Sequence, residues 1–177
     1  MNKRRLRRLF WAFVCICLTF FLTWSVAEFV GQRTEVEGMS MSPTLKDKEN
    51  LILDKISYRF RDPERYEIVV FPPKYKENTY YIKRVIGLPG ETVQIVDGKI
   101  YINGEVLDEN YGYETMRDAK RAAEPVTLGE DEYFVLGDNR PVSKDSRSKD
   151  VGMVDERYIL GKAEWIVFPF DRFGKIE

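Results

Sequence analysis

Hydrophobic and polar positions divide the chain into one long apolar run and many short ones. No charged residue occurs from Leu9 to Ala27. A run of this length predicts a helix that crosses a bilayer, since about 20 residues span the hydrocarbon core. We therefore expect a transmembrane anchor at residues 9–30, a basic amino terminus at residues 1–8 and one globular domain at residues 31–177.

The charges before the apolar run predict its orientation. Five basic residues precede it, namely Lys3, Arg4, Arg5, Arg7 and Arg8. Because such residues stay on the cytoplasmic side, we expect a single-pass protein of the cell membrane, in contact with lipid, whose globular domain lies outside the cytoplasm. A cleavable signal peptide is the alternative, since Ser25-Val26-Ala27 offers small residues, but the apolar core of signal peptides is usually only about 7 to 15 residues long.

The short apolar runs that follow are typical of β-strands and predict a mainly β domain. We expect strands at residues 51–53, 56–60, 66–71, 80–87, 92–96, 99–102, 105–107, 133–136, 158–160 and 163–168. Asp97-Gly98 and Asn103-Gly104 predict tight turns between neighbouring strands. The polar stretch at residues 108–125 predicts either a short helix over Tyr113–Ala123 or a surface excursion.

Composition excludes several kinds of chemistry. Five of the 28 basic residues precede the apolar run, which leaves 23 basic against 29 acidic residues in the rest of the chain. The globular part is therefore mildly acidic, which argues against nucleic-acid binding. Cys15 and Cys17 lie inside the apolar run, which leaves the outer domain without thiols for a disulfide, a metal or a nucleophile. The chain has no histidine, so a Ser-His-Asp triad and a histidine-ligated metal are excluded. We expect neither a cofactor nor a metal.

Without histidine, a serine nucleophile needs a different base, and a neutral lysine amine can serve. Ser40 is the candidate nucleophile. Gly38 permits positive φ or a close approach of substrate, and Pro43 pushes Ser42 toward an extended conformation, so Ser40 should lie on a defined non-helical bend. An ordinary Gly/Ser/Pro turn is the alternative.

Lys83 is the candidate base because it lies in a strand that is apolar on both faces. Alternation places it with Tyr81 and Val85, and desolvation there would lower its pKa. A fall from about 10.4 to about 8 would cost roughly 3 kcal/mol. The alternative is a strand lysine whose amine extends to water. Arg84 should point to the opposite face, so replacement by lysine should leave appreciable activity.

Three segments together resemble the conserved boxes of bacterial type I signal peptidases in their compact Gram-positive form. They are Gly38-Met-Ser-Met-Ser-Pro-Thr44, Tyr81-Ile-Lys-Arg-Val-Ile-Gly-Leu-Pro-Gly90 and Gly137-Asp-Asn-Arg-Pro-Val-Ser-Lys-Asp-Ser-Arg147. By this resemblance Ser40 matches the nucleophile and Lys83 the general base. The resemblance also implies that Ser143 helps to position the lysine amine, and that Asp145 and Arg147 form a structural charged pair.

The resemblance implies a β-rich, partly open barrel with its cleft near the membrane and a variable cap at residues 103–126. The implied activity is that of a serine endopeptidase that removes signal peptides from secretory preproteins with small residues before the cut. The resemblance also implies that the enzyme works beside the secretion translocon. Glycine at position 38 implies an oxyanion hole built from backbone amides, including that of Ser40. Tyr66-Glu67 and Glu91 depart from the family pattern near the cleft. An extended substrate would pair with an edge strand, for which the Ile68–Val70 region is the candidate.

Other interpretations explain less of the chain. Ser146-Arg-Ser-Lys149 matches the S-x-x-K of penicillin-binding enzymes, but their Lys-Thr-Gly is absent. Self-cleaving repressor proteases also use a Ser-Lys pair, yet they carry a DNA-binding module and no membrane span. The non-enzymatic alternative is a membrane-tethered β domain that only binds exported polypeptides, which labelling of Ser40 by an acylating reagent would distinguish from an enzyme.

Overall fold

The computed structural model describes residues 3–29, 31–73, 79–112, 114 and 116–176, without the side chains of residues 3, 6, 24–29 and 31. Val30, at the end of the predicted anchor, and Tyr113 lie outside the described residues. One helix and twelve strands are described: α1 (Lys3–Phe29), β1 (Gly31–Glu35), β2 (Asn50–Asp54), β3 (Ile68–Phe71), β4 (Tyr81–Gly87), β5 (Thr92–Val96), β6 (Lys99–Ile102), β7 (Glu105–Val106), β8 (Val126–Thr127), β9 (Glu132–Leu136), β10 (Val154–Asp155), β11 (Gly161–Phe168) and β12 (Gly174–Lys175).

The long apolar run forms α1, a helix of 27 residues that leads into β1. Within the part of the chain that the structure describes, no helix is long and apolar enough to cross a membrane. The helix predicted for this run is therefore present, and its role as a membrane anchor stays a prediction.

A large antiparallel sheet of eight strands follows, in the order β1-β2-β11-β3-β4-β9-β10, with β12 paired to β11. It is a curled, open half-barrel, so the prediction of a mainly β, partly open architecture is confirmed. β3 lies between β11 and β4 and is hydrogen-bonded to both. The Ile68–Val70 region is therefore not an edge, and the prediction that substrate pairs with it is wrong.

A second sheet has the order β7-β6-β5-β8 and contains the predicted hairpins. Asp97, Gly98, Asn103 and Gly104 all have positive φ, which the tight turns at these two pairs require. The sheet packs against the end of the larger one, through a buried cluster that includes Ile86, Val93, Ile100 and Phe134. The segment at residues 103–126 contains β7, which pairs with β6, and it leaves the sheet after β7 and rejoins it at β8.

Two predicted strands are wrong because side chains compete with the sheet for backbone hydrogen bonds. Residues 57–59 form a 3₁₀ turn, since the Asp54 carboxylate accepts the backbone N–H groups of Ile56 and Ser57. Residues 156–158 form another, capped by the Asp155 carboxylate. Of the two alternatives for residues 108–125, the short helix is represented among the described residues by a 3₁₀ turn at Lys120–Ala123 alone. Gly161, at the start of β11, lies too close to the Asp54 carbonyl for a side chain.

The two central strands β3 and β4 are covered on both faces. Val70 and Ile82 belong to the core inside the half-barrel, together with Met41 and Leu45. Val69, Phe71 and Val85 belong to a second core on the outer face. Every residue of β4 after Tyr81 is buried, which explains how this strand can carry a lysine out of contact with water.

Candidate active site

Ser40 lies at the start of a turn that two buried side chains fix to the core. Met41 and Leu45 are 1% and 0% exposed, and the Leu45 amide donates to the Met41 carbonyl. Gly38 has a φ of +84°, as the sequence predicts for the entry to this bend, and its amide donates to Asp47 Oδ1 at 2.7 Å. Ser40 itself is half-buried, so its hydroxyl is held in place and remains accessible.

The structure brings Lys83 to Ser40. The lysine amine lies 2.7 Å from Ser40 Oγ and 2.8 Å from the Ile82 carbonyl oxygen, and it lies 5.4 Å from the centre of the Tyr81 ring. The residue is 3% exposed. Of the two interpretations of Lys83, the buried lysine is confirmed, and the amine does not extend to water.

Burial changes the proton affinity of this amine. It lowers the pKa of Lys83 from 10.5 to about 8, because an ammonium ion in an apolar surrounding loses its hydration. The negative charges of Asp145 and Asp138 oppose this shift and keep the pKa from falling further. A lysine with a pKa near 8 holds about a tenth of its amine in the neutral form at pH 7, whereas an ordinary lysine holds less than about 0.1%.

The loop at residues 137–147 contacts the backbone of the Ser40 turn. The Asn139 amide donates to the Ser40 carbonyl at 3.0 Å. A Cβ atom on Gly137 would overlap both that carbonyl oxygen and Ser143 Oγ. Position 137 therefore requires glycine because the two segments approach each other there at backbone distance.

The predicted ion pair between Asp145 and Arg147 forms in this loop and is buried. Arg147 Nε lies 2.8 Å from Oδ1 of Asp145, and a terminal nitrogen lies 2.8 Å from Oδ2. Asp145 also accepts the Gly137 amide at 3.2 Å, and Arg147 donates to the Arg140 carbonyl at 2.7 Å. The pair thus fixes the shape of the loop from inside.

Ser143 lies beside the site but does not make the expected contact. It is buried, and its Oγ has no hydrogen-bond partner among the described residues. Its backbone amide donates to the Asn139 carbonyl. The role of Ser143 in positioning the Lys83 amine therefore stays a prediction.

Sequence reasoning missed a second buried ion pair, between Arg84 and Asp138. The two side chains are 2% and 0% exposed, and Arg84 donates to both carboxylate oxygens at 3.0 and 2.8 Å. The Thr44 hydroxyl donates to the same carboxylate at 2.6 Å, so this pair ties β4 to the Ser40 turn. The signal that could have found it is an arginine in a strand apolar on both faces, since a buried arginine needs an acid.

An open cleft of about 640 Å³ leads to the dyad of Ser40 and Lys83. One wall is β1 with the residues that follow it, including Thr34 and Val36, and the other is the start of β4 at Tyr81. β1 is the terminal strand of the large sheet and pairs with β2 alone among the described strands. The cleft therefore offers an extended polypeptide a free strand edge that leads to Ser40.

Comparisons with known proteins give a family match and several similar relatives. The family model described as "Signal peptidase, peptidase S26" matches residues 6–168. The chain is 44% identical over 160 residues to the probable signal peptidase I-2 of Synechocystis, covering 86% of this chain and 70% of that protein. It is 36% identical over 169 residues to the signal peptidase I of Bacillus licheniformis, covering 92% and 90%.

Among solved structures, a signal peptidase I from Enterococcus faecalis V583 is 37% identical, with a TM-score of 0.49, covering 58% of this chain and 97% of that one. The family match covers most of the chain, including Ser40, Lys83 and the whole 137–147 loop. The chain therefore belongs to the signal peptidase family, peptidase S26, and is an enzyme.

Proposed function

We propose that this enzyme removes signal peptides from secreted preproteins, with Ser40 as nucleophile and Lys83 as general base. The observation that carries the proposal is the 2.7 Å contact between a hydroxyl at the end of an open cleft and the amine of a lysine that is 3% exposed. Similarity to enzymes named signal peptidase I supports the choice of substrate.

Acylation starts from neutral Lys83. As the Ser40 oxygen bonds to the substrate carbonyl carbon, its proton passes to the Lys83 amine, and the ammonium ion then donates a proton to the leaving amine when the peptide bond breaks. The mature protein leaves with a new amino terminus, and the signal peptide remains as an ester on Ser40. Lys83 then takes a proton from the water that hydrolyses this ester and returns the proton to Ser40.

The tetrahedral oxyanion is stabilised by backbone N–H groups, including that of Ser40. The Gly38 amide is not free for this role because it already donates to Asp47. The Ser40 backbone is held by the Asn139 amide and by the buried side chains of Met41 and Leu45. The Ser40 N–H group is therefore oriented before substrate arrives. Ser143 remains a candidate for orienting the lysine amine once substrate excludes water.

The substrate lies extended in the cleft, and its backbone pairs with the free edge of β1. This assignment replaces the β3 region, which is hydrogen-bonded on both sides. Because backbone pairing is independent of sequence, it suits an enzyme that accepts many preproteins. Selection for small residues before the cut would come from the lining of the cleft next to Ser40.

We further propose that the enzyme acts at the cell membrane, with α1 as anchor, and meets preproteins beside the secretion translocon. The apolar side chains of α1 between Leu9 and Leu22 are exposed in the chain by itself. Aromatic rings also lie exposed on β11 and after it, where Trp165 packs on Phe173 and Phe168 on Phe170. Exposed aromatic side chains are enriched at the membrane–water interface.

The experiment that tests the activity is incubation of the full chain, in detergent or vesicles, with a preprotein, followed by sequencing of the new amino terminus. A cut directly after small residues that depends on Ser40 supports the proposal, and binding of preprotein without cleavage would overturn it in favour of a binding domain. A chain that begins at Gln32 should cleave soluble substrates as before and membrane-inserted precursors poorly. Equal rates on membrane-inserted precursors would refute the role of the anchor.

A further inference from the structure

Residues 108–112 contact two arginines of the site although the proposed mechanism does not use them. This segment follows β7 and lines no part of the cleft that the structure describes. One of the arginines, Arg84, follows Lys83 in β4, and the other, Arg140, lies in the loop that holds Ser40. Both are buried.

Glu109 holds Arg140 through a bidentate ion pair. Its two carboxylate oxygens each lie 2.9 Å from a terminal nitrogen of Arg140, and the side chains of Glu109 and Arg140 are 12% and 3% exposed. The third guanidinium nitrogen, Nε, donates to the Gly137 carbonyl at 3.0 Å. Glu109 thus fixes Arg140, and Arg140 fixes the loop at Gly137. Two residues further along, the Asn139 amide donates to the Ser40 carbonyl.

Tyr111 covers Arg84, the second of the two arginines. The Arg84 guanidinium carbon lies 3.7 Å from the centre of the Tyr111 ring, within the range of a strong cation–π contact. The Tyr111 ring also packs on the Tyr66 ring at 5.1 Å, and the Tyr66 hydroxyl donates to the Asp108 carbonyl at 3.0 Å. The segment is therefore fastened at three points.

We propose that residues 108–112 form a strap whose side chains Glu109 and Tyr111 position Ser40 for catalysis by clamping Arg140 and Arg84. The proposal rests on the proposed function, since the benefit of a fixed Ser40 is expressed in the cleavage rate. The strap acts through the loop and contacts neither substrate nor the reacting atoms, so Glu109 and Tyr111 are positioning residues. A nucleophile displaced by about 1 Å can lose about a hundredfold in rate.

The first test compares kcat and KM of the full chain and its variants on one preprotein. Glu109→Gln and Tyr111→Leu should each lower kcat by about tenfold or more, because Ser40 is no longer held, with KM within about twofold, because the cleft wall is unchanged. Glu105→Gln, an exposed position on β7, is the matched control and should keep the wild-type kcat. Tyr111→Phe retains the ring face and should retain activity.

The second test does not depend on cleavage. Hydrogen exchange of the Asn139 amide should become about tenfold faster or more in Glu109→Gln and Tyr111→Leu, because the loop opens locally more often. The Val36 amide, which donates to the Glu49 carbonyl at 2.8 Å, serves as the internal reference and should not change. If exchange at Asn139 and kcat both stay at the wild-type values, the strap is refuted. An inactive wild type would overturn the proposed function instead, and the exchange result would still decide whether the strap holds the loop.

Discussion

Replacement of Lys83 by methionine should abolish cleavage and, at neutral pH, make the protein more stable. Methionine has about the same length and suits a buried site, but it cannot take a proton. The lysine, in contrast, is a buried group whose charged form is disfavoured. An enzyme that needs a neutral lysine therefore keeps a residue that weakens its own fold.

The magnitude follows from the pKa of Lys83, which is lowered from 10.5 to about 8. At about 1.4 kcal/mol per unit, the charged lysine costs the folded state about 3 kcal/mol at pH 7. Methionine loses the contacts to Ser40 and Ile82, each worth about 1 kcal/mol. We expect a net gain of about 1 kcal/mol in the free energy of unfolding of Lys83→Met.

The sign of the pH dependence provides the decisive check. Below pH 8 the lysine is protonated in both the folded and unfolded states, and the wild type bears the full cost. Between pH 8 and 10.5 the folded state loses its proton first, so wild-type stability rises with pH. The stability difference in favour of Lys83→Met should therefore fall by about 2.5 kcal/mol between pH 7 and pH 10, so that the variant is less stable than the wild type at pH 10.

Urea unfolding of the full chain in detergent at both pH values measures this difference. Lys162→Met is the matched control, since Lys162 is ion-paired with Glu67 at 2.8 Å and its loss should destabilise the fold. An advantage of Lys83→Met that is equal at pH 7 and pH 10, or a variant less stable than wild type at pH 7, would refute the buried, weakly basic lysine.

Three further predictions concern the site. Lys83→Arg should lower kcat by orders of magnitude, as far as Ser40→Ala does, because a guanidinium cannot act as a base. The double variant should be no worse than either single variant, because the two residues act as one unit, and near wild-type processing by Lys83→Arg would exclude the dyad. Asp145→Asn should lower the free energy of unfolding by about 3 to 5 kcal/mol, because Arg147 stays charged and buried, and a variant that melts like wild type would show the pair to be dispensable. Gly137→Ala should fold less stably and lose kcat, because its Cβ has no room against the Ser40 carbonyl, and full activity would contradict that close approach.

Arg84 shows what the alternation of residues along a strand predicts and what it does not. Alternation places its side chain on the face opposite Lys83, which led to the expectation that lysine would be tolerated there. That expectation stays a prediction, and the structure shows which contacts a lysine would lose, because Arg84 donates to both oxygens of a buried carboxylate and lies against Tyr111. Lysine, with a single ammonium, cannot reproduce the bidentate contact.

The choice of Ser40 and Lys83 as partners came from the resemblance to the boxes of signal peptidases. The sequence by itself determined the strands that alternate or bury both faces, the turns at Asp97-Gly98 and Asn103-Gly104, and the need for a base other than histidine. These features depend on local periodicity, on glycine and asparagine conformations and on the absence of histidine, all of which are readable in the chain. The two wrong strands lie where Asp54 and Asp155 capture backbone amides, a local competition that apolar patterns do not register.

Only the tertiary structure decided which distant groups meet. Two ion pairs, Arg84 with Asp138 and Glu109 with Arg140, join segments that are far apart in the chain. The position of β1 at the end of the large sheet likewise follows from the order of the described strands. Such contacts depend on strand order and on which buried charges neutralise one another, and many pairings satisfy the same one-dimensional pattern. Packing selects one of these pairings, because a buried arginine without a carboxylate partner would lower the free energy of unfolding by a large part of its total value.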